Sequence, residues 1–197
     1  FGGVSVDYAK SKNIITICEH TIAHPTIVEY MIANKGNFPK KKIAMKNNWW
    51  KIVVSDLDKA DTVLVNSNFV KQTLIFMGCK KPIKVIYTGP LKGFEKNIFL
   101  KKKYFINNNI NIFYSGGLIK RKGLDEIQDV IKKIDLSKNL NLRLAGSLSG
   151  TSRFKYNDLL NNKNVKYLGI LNSKALNQSY NKSDIFLFPS LVEGSAK

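Results

Sequence analysis

The sequence predicts an α/β fold with parallel sheets and helices on both of their faces, and three observations predict it. Short apolar, β-branched runs alternate with stretches whose apolar residues recur at helical spacing. These runs hand over directly to Gly-rich or polar turns, and the alternation lapses in mid-chain and then restarts. With 197 residues there is room for one large domain or two incomplete ones. Hydrophobic residues at 44%, charged residues at 23% and only 5 Pro exclude disordered and low-complexity chains.

Residues 13–18 (NIITIC) read as a first buried strand that feeds the polar turn Glu19-His20-Thr21. Residues 26–33 read as a short helix, 36–42 as a basic surface loop, and Trp49-Trp50 as the start of a helix running towards Leu57. Residues 62–65 (TVLV) form the second strand. Asn66-Ser67 then caps a helix with Phe69, Val70, Thr73, Leu74 and Met77 inward, which Gly78 ends. Residues 84–87 give the third strand.

Periodicity then fails through Gly89-Pro90, Gly93 and the Lys101–103 and Asn107–109 clusters, and residues 91–109 read as an inter-domain linker. The alternation resumes with a strand at 110–114, the turn Ser115-Gly116-Gly117, and a helix bearing Leu124, Ile127, Ile131 and Ile134. Strands follow at 141–145, 165–168 and 184–188, with helical segments at 154–160 and 173–181 between them. The expected division is therefore 1–90 for one α/β domain and 110–197 for a second.

The excess of 32 Lys+Arg over 14 Asp+Glu gives a net charge of +18, which on its own suggests nucleic acid or an anionic membrane as partner. Arg occurs only at Arg121, Arg143 and Arg153, and Lys, Asn and Ile are abundant together, as in chains from AT-rich genomes. A scattered, solvated Lys face is thus the preferred reading, with no nucleic acid as partner; peripheral contact with an anionic membrane is a secondary one. No apolar run approaches the ~20 residues of a membrane-spanning helix. Two cysteines, Cys18 and Cys79, are too few for a disulfide framework, so a cytoplasmic location is expected. The chain begins with Phe1 and stops shortly after Glu193, so the expectation is a fragment truncated at both ends.

In parallel sheets, ligands bind beyond the carboxyl ends of the strands, which singles out His20, Ser67, Gly116, Gly146 and Glu193. In residues 115–123 (SGGLIKRKG), Gly116 and Gly117 allow close backbone approach while Lys120, Arg121 and Lys122 precede a helix N-terminus. That chemistry suits a phosphate, although Gly-Gly beside lysines also occurs in ordinary turns. Glu193, in a loop after a buried strand, suits sugar hydroxyls or else caps a helix.

Ala60-Asp61 to Asn66-Ser67-Asn68-Phe69-Val70, then 115–123, then Ser183-Asp184 to Pro189-Ser190 and Glu193-Gly194 occur in an order and spacing that resemble the glycosyltransferase family 4 group of GT-B enzymes. The resemblance covers about Ile14 to Lys197. It implies two Rossmann-like domains facing a cleft, both incomplete here, with acceptor bound mainly by the first and a UDP- or GDP-sugar donor by the second. It implies donor-diphosphate contacts from Gly116, Gly117, Lys122, Gly194 and Ser195, with Lys120, Arg121, Gly146 and Ser190 as further candidates. Gly117 stands where the family has an Arg. Glu193 resembles the first Glu of a Glu-x7-Glu motif whose second Glu lies past Lys197. His20 corresponds to a His near the acceptor and the transferring sugar, with His24 as competitor.

The implied activity is retaining, metal-independent sugar transfer, without a cofactor, to a saccharide or lipid-linked acceptor in surface polysaccharide or glycolipid synthesis. Three alternatives stay open: a degenerate or truncated non-catalytic fragment, a GT-B sugar-nucleotide epimerase, and a basic nucleic-acid-binding module. No recognition helix, aromatic RNA-binding motif or zinc signature supports the last.

Overall fold

The structure, a computed structural model, describes residues 3–89, 109–134 and 139–195. Nearly all of the 91–109 linker lies outside these. The described residues of 1–90 and 191–197 form one compact unit and those of 91–190 another. The sequence reading carries the second unit on to 197, whereas residues 191–195 pack with the first.

The first unit runs α1 (Gly3–Ser11), β1 (Ile17–His20), α2 (Pro25–Ala33), α3 (Asn48–Lys59), β2 (Thr62–Val65), α4 (Asn68–Met77) and β3 (Ile83–Val85). Its sheet is parallel, in the order β1-β2-β3. The first strand starts later than its β-branched run suggests. Asn13 takes a left-handed conformation at the end of α1, and Thr16 is tied through its amide and hydroxyl to Asp61 Oδ2, each at 2.8 Å. Ile14, Ile15 and Ile17 are consequently exposed rather than buried. Helix α4 fits its pattern: Ser67 Oγ accepts from the Val70 amide at 3.1 Å, Gly78 closes the helix at φ 104°, and Val70, Thr73 and Leu74 are fully buried. Together with Leu57, Val63 and Val65, the aliphatic side chains Val70 and Leu74 form the core between sheet and helices.

The second unit runs β4 (Ile110–Ser115), a single 3-10 turn at Lys120–Lys122, α5 (Leu124–Lys133), β5 (Leu140–Ala145), α6 (Gly150–Lys155), α7 (Asn157–Leu160), β6 (Val165–Tyr167), α8 (Ser173–Asn181) and β7 (Ile185–Phe186). The sheet order is β6-β5-β4-β7, with every pairing parallel. Its core gathers Tyr114, Leu118, Leu124, Ile127, Leu142, Leu144, Tyr156 and Leu159. Helix α5 stops at Lys133, so Ile134 is exposed and does not join the apolar stripe predicted for it. The single helical segment expected at 154–160 is two short helices, broken at Tyr156. Its ring is buried and its hydroxyl donates to Asp125 at 2.6 Å.

Candidate functional site

In the second unit the carboxyl ends of β4 and β5 meet in a glycine cluster. The Gly116 amide donates to the Ala145 carbonyl at 2.9 Å, the Leu118 amide to Ser147 O at 2.8 Å, and the Gly146 amide to Gly169 O at 2.8 Å. A Cβ at Gly146 would collide with the Gly116 carbonyl, and its φ of 140° is one that L side chains rarely adopt. Two tyrosines reinforce the loops from beneath. Tyr114 Oη donates to Gly117 O at 2.8 Å and Tyr167 Oη to Gly146 O at 2.9 Å. Sequence reasoning missed both; their signal was a polar tip on an inward strand position just before a glycine turn.

The chain passes from Gly117 through Ile119 into the Lys120–Lys122 turn and enters α5 at Gly123, against which the Pro189 carbonyl packs. The Lys122 stem runs beside Gly116, where a Cβ would stand 3.9 Å from Lys122 Cδ. Lys122 and Arg121 are half-buried, while Lys120 is exposed. Ser190 follows Pro189 at the same loop. The Asp125 carboxylate in the first turn of α5 would oppose an anion, but Lys155 and Tyr156 engage it, each at 2.6 Å. Burial alone would raise its pKa, yet those hydrogen bonds and the charges of Lys155 and Lys120 hold it below the ordinary value. The result is an apposition of backbone, helix N-terminus and ammonium suited to a phosphate group. At Gly117 a Cβ would meet Ser147 Oγ at 3.5 Å, ordinary contact, so a side chain fits there.

In the first unit His20 ends β1, 7% exposed, and burial pushes its imidazole below the usual histidine range. The following turn is fixed by Asn66, just past β2, whose side-chain amide donates to Thr21 O at 2.9 Å. Residues 191–195 lie on this turn. Val192 is buried with Ala23, Ile27 and Met31, Ser67 Oγ donates to the Gly194 carbonyl, and a Cβ at Gly194 would collide with Thr21 O. Glu193, Gly194 and Ser195 are thereby brought to the loop that begins at His20. Asn66 and Ser67, read from the sequence as capping residues, prove to be what anchors both segments.

His24 is placed differently. Its amide donates to Thr73 Oγ1 at 3.0 Å, and with Leu57, Asp58, Met77 and Cys79 it lines a small cavity of about 90 Å³. Burial first, and the neighbouring His20 second, push its pKa down to about 4. It stands buried at the start of α2. Among the described residues no group of three His, Cys, Asp or Glu could hold a metal ion, and no helix is long and apolar enough to cross a membrane.

The sequence pattern of the family described as glycosyl transferases group 1 matches residues 96–196. A Klebsiella pneumoniae protein, described as an uncharacterized 41.2 kDa protein in cps region, is 31% identical over 143 residues, which is 68% of this chain and 38% of that protein. Among solved structures, sucrose-phosphate synthase from Thermosynechococcus elongatus superposes with a TM-score of 0.72 at 16% identity, over 99% of this chain and 49% of that one. HepE from Anabaena, in complex with UDP-glucose, gives 0.62 at 17% identity over 94% and 49%. The pneumococcal O-GlcNAc transferase GtfA, in complex with UDP and GlcNAc, gives 0.57 at 16% identity over 98% and 41%. The chain thus spans at most about half the length of these proteins.

Proposed function

The chain belongs to the glycosyl transferases group 1 family, and from that membership we propose that the protein transfers a sugar from a nucleotide-diphosphate sugar to a saccharide or lipid-linked acceptor. The fold is that of GT-B glycosyltransferases. The observation that carries the reading is the glycine cluster at the ends of β4 and β5 with Lys122 beside it. HepE and GtfA were solved with UDP, which makes a UDP-sugar the donor to try first.

In the proposed reaction the bond between the anomeric carbon and the diphosphate oxygen breaks, and its electron pair leaves with the diphosphate. The acceptor hydroxyl attacks from the same face, its proton passes to the departing phosphate, and configuration is retained. Lys122 and the amides leading into α5 stabilise the charge that develops on the leaving group. The reaction needs neither a metal ion nor a cofactor in this scheme. Gly116 and Gly117 line the diphosphate, with Gly146, Lys120, Arg121 and Ser190 near it. Gly194 and Ser195 also contact the diphosphate, Glu193 contacts the transferring sugar, and His20, neutral at pH 7, orients the acceptor hydroxyl. Assignment to family 4, a role in surface polysaccharide or glycolipid synthesis, and a cytoplasmic location complete the reading.

The test is to incubate the protein with a panel of UDP- and GDP-sugars and saccharide acceptors and to follow release of the nucleoside diphosphate. Lys122→Ala should lower donor kcat/KM by about 10–100-fold, the worth of one charge-assisted hydrogen bond, while His20→Ala lowers turnover and leaves donor affinity unchanged. Wild-type kinetics in both variants would overturn the site, and an epimerised donor in place of transfer would overturn the reaction.

A further inference from the structure

The connection between α2 and α3 carries a feature that sugar transfer does not use. From residue 30 to residue 55 there is no Asp or Glu, and Lys35, Lys40, Lys41, Lys42, Lys46 and Lys51 are all exposed. Among the described residues none of them meets a carboxylate within ion-pair distance. The nearest preceding acid, Glu29, is engaged by the Trp50 indole N–H at 2.9 Å.

Lys40, Lys41 and Lys42 border an open groove of about 690 Å³ whose other walls include Tyr30, Phe38 and Ile43. Large apolar side chains stand exposed in the same stretch: Phe38 at 40%, Trp49 at 51% and Ile52 at 63%. Ammonium groups without a carboxylate partner among the described residues, interleaved with exposed Trp, Phe and Ile, match a bilayer interface. There, lysines meet lipid phosphates, and amphipathic rings sit at headgroup level. A nucleic acid would take the same charge, but its usual reader is Arg, and the first Arg in the chain is Arg121.

We propose that this surface, formed by the α2–α3 connection and the first turns of α3, docks the protein on a bilayer of anionic lipid. The proposal stands independently of sugar transfer.

Both tryptophans of the chain, Trp49 and Trp50, lie on the proposed surface, so intrinsic fluorescence reads this contact alone. The full chain is titrated with phosphatidylcholine vesicles, with and without phosphatidylglycerol, at low and high salt. A blue shift and co-sedimentation that need phosphatidylglycerol and weaken with salt are expected. Lys40→Gln, Lys41→Gln and Lys42→Gln combined should cut partitioning about 100-fold, at roughly fivefold per lysine. The variant Phe38→Ser with Ile52→Ser keeps every charge and both reporters, and should abolish the blue shift while retaining weak, salt-sensitive binding. Circular dichroism verifies that each variant is folded. No binding, equal binding to neutral vesicles, or a blue shift reproduced by single-stranded oligonucleotide or inorganic diphosphate would overturn the proposal.

Discussion

At the scale of single residues, the donor loop depends on which glycines are replaceable. Gly146 is not: a side chain there meets the Gly116 carbonyl on a backbone with φ of 140°. Gly146→Ala should therefore lower stability by about 2–4 kcal/mol in urea unfolding, whereas Gly117→Ala should stay within about 0.5 kcal/mol. Gly117→Arg should fold normally and tighten UDP binding, because the position has room for a side chain beside the loop. Equal destabilisation at Gly146 and Gly117 would show that the loop is built otherwise.

The two histidines give a pH signature. An unfolded histidine takes its proton near ~6.5, while folded His24 takes it only at about 4. Between those values the unfolded chain binds more protons, so this contribution is complete above ~6.5 and lost as pH falls towards 4. Burial of His20 acts in the same direction. The thermal midpoint should fall across that window, and His24→Gln should shrink the fall; an identical profile in the variant would contradict the assignment. The places of His20, Gly116 and Gly146 at strand ends were legible in the sequence, because the end of an apolar run is a local signal. The partners of Tyr167 and Asn66 were not, since they are chosen by folding: each holds a carbonyl 21 or 45 positions away.

At the scale of elements, α4 and the returning segment 191–195 depend on one hydroxyl. Ser67 Oγ both caps α4 at Val70 N and donates to the Gly194 carbonyl. Ser67→Ala should cost about 1–2 kcal/mol, read as a lower denaturation midpoint of the first unit. A change under about 0.3 kcal/mol would mean that the segment does not dock there in solution. The strands at 62–65 and 110–115 stand within one residue of expectation, because unbroken β-branched and aliphatic runs leave little choice of period. Helix α1 was invisible. It buries no residue, and it is held instead from outside its own sequence, by Lys59 on Asp7 at 2.6 Å. The β-branched run at 13–18 pointed the other way: propensity favoured a strand where the Asp61 carboxylate, 45 positions along the chain, sets the start.

At the scale of the whole molecule, the chain leaves one compact unit, builds a second around its own core, and returns to the first with residues 191–195. Two compact units predict two calorimetric transitions, of which UDP should raise the one belonging to the second unit, by about 2.7 kcal/mol at a hundredfold excess over Kd. Two separate strand–helix series were legible because the alternation lapses and restarts. The return of 191–195 was not, since Val192 and Gly194 show their partners only once β1 and α2 exist.

The central claim is that a nucleotide sugar is held by the loop between β4 and α5. Hydrogen–deuterium exchange with and without UDP-glucose reads that loop directly, amide by amide. Slower exchange at residues 116–124 and 146–147, reached in Lys122→Ala only at higher UDP-glucose concentration, is the predicted result. Unchanged exchange there at saturating UDP-glucose, or an unaltered concentration dependence in Lys122→Ala, would contradict it.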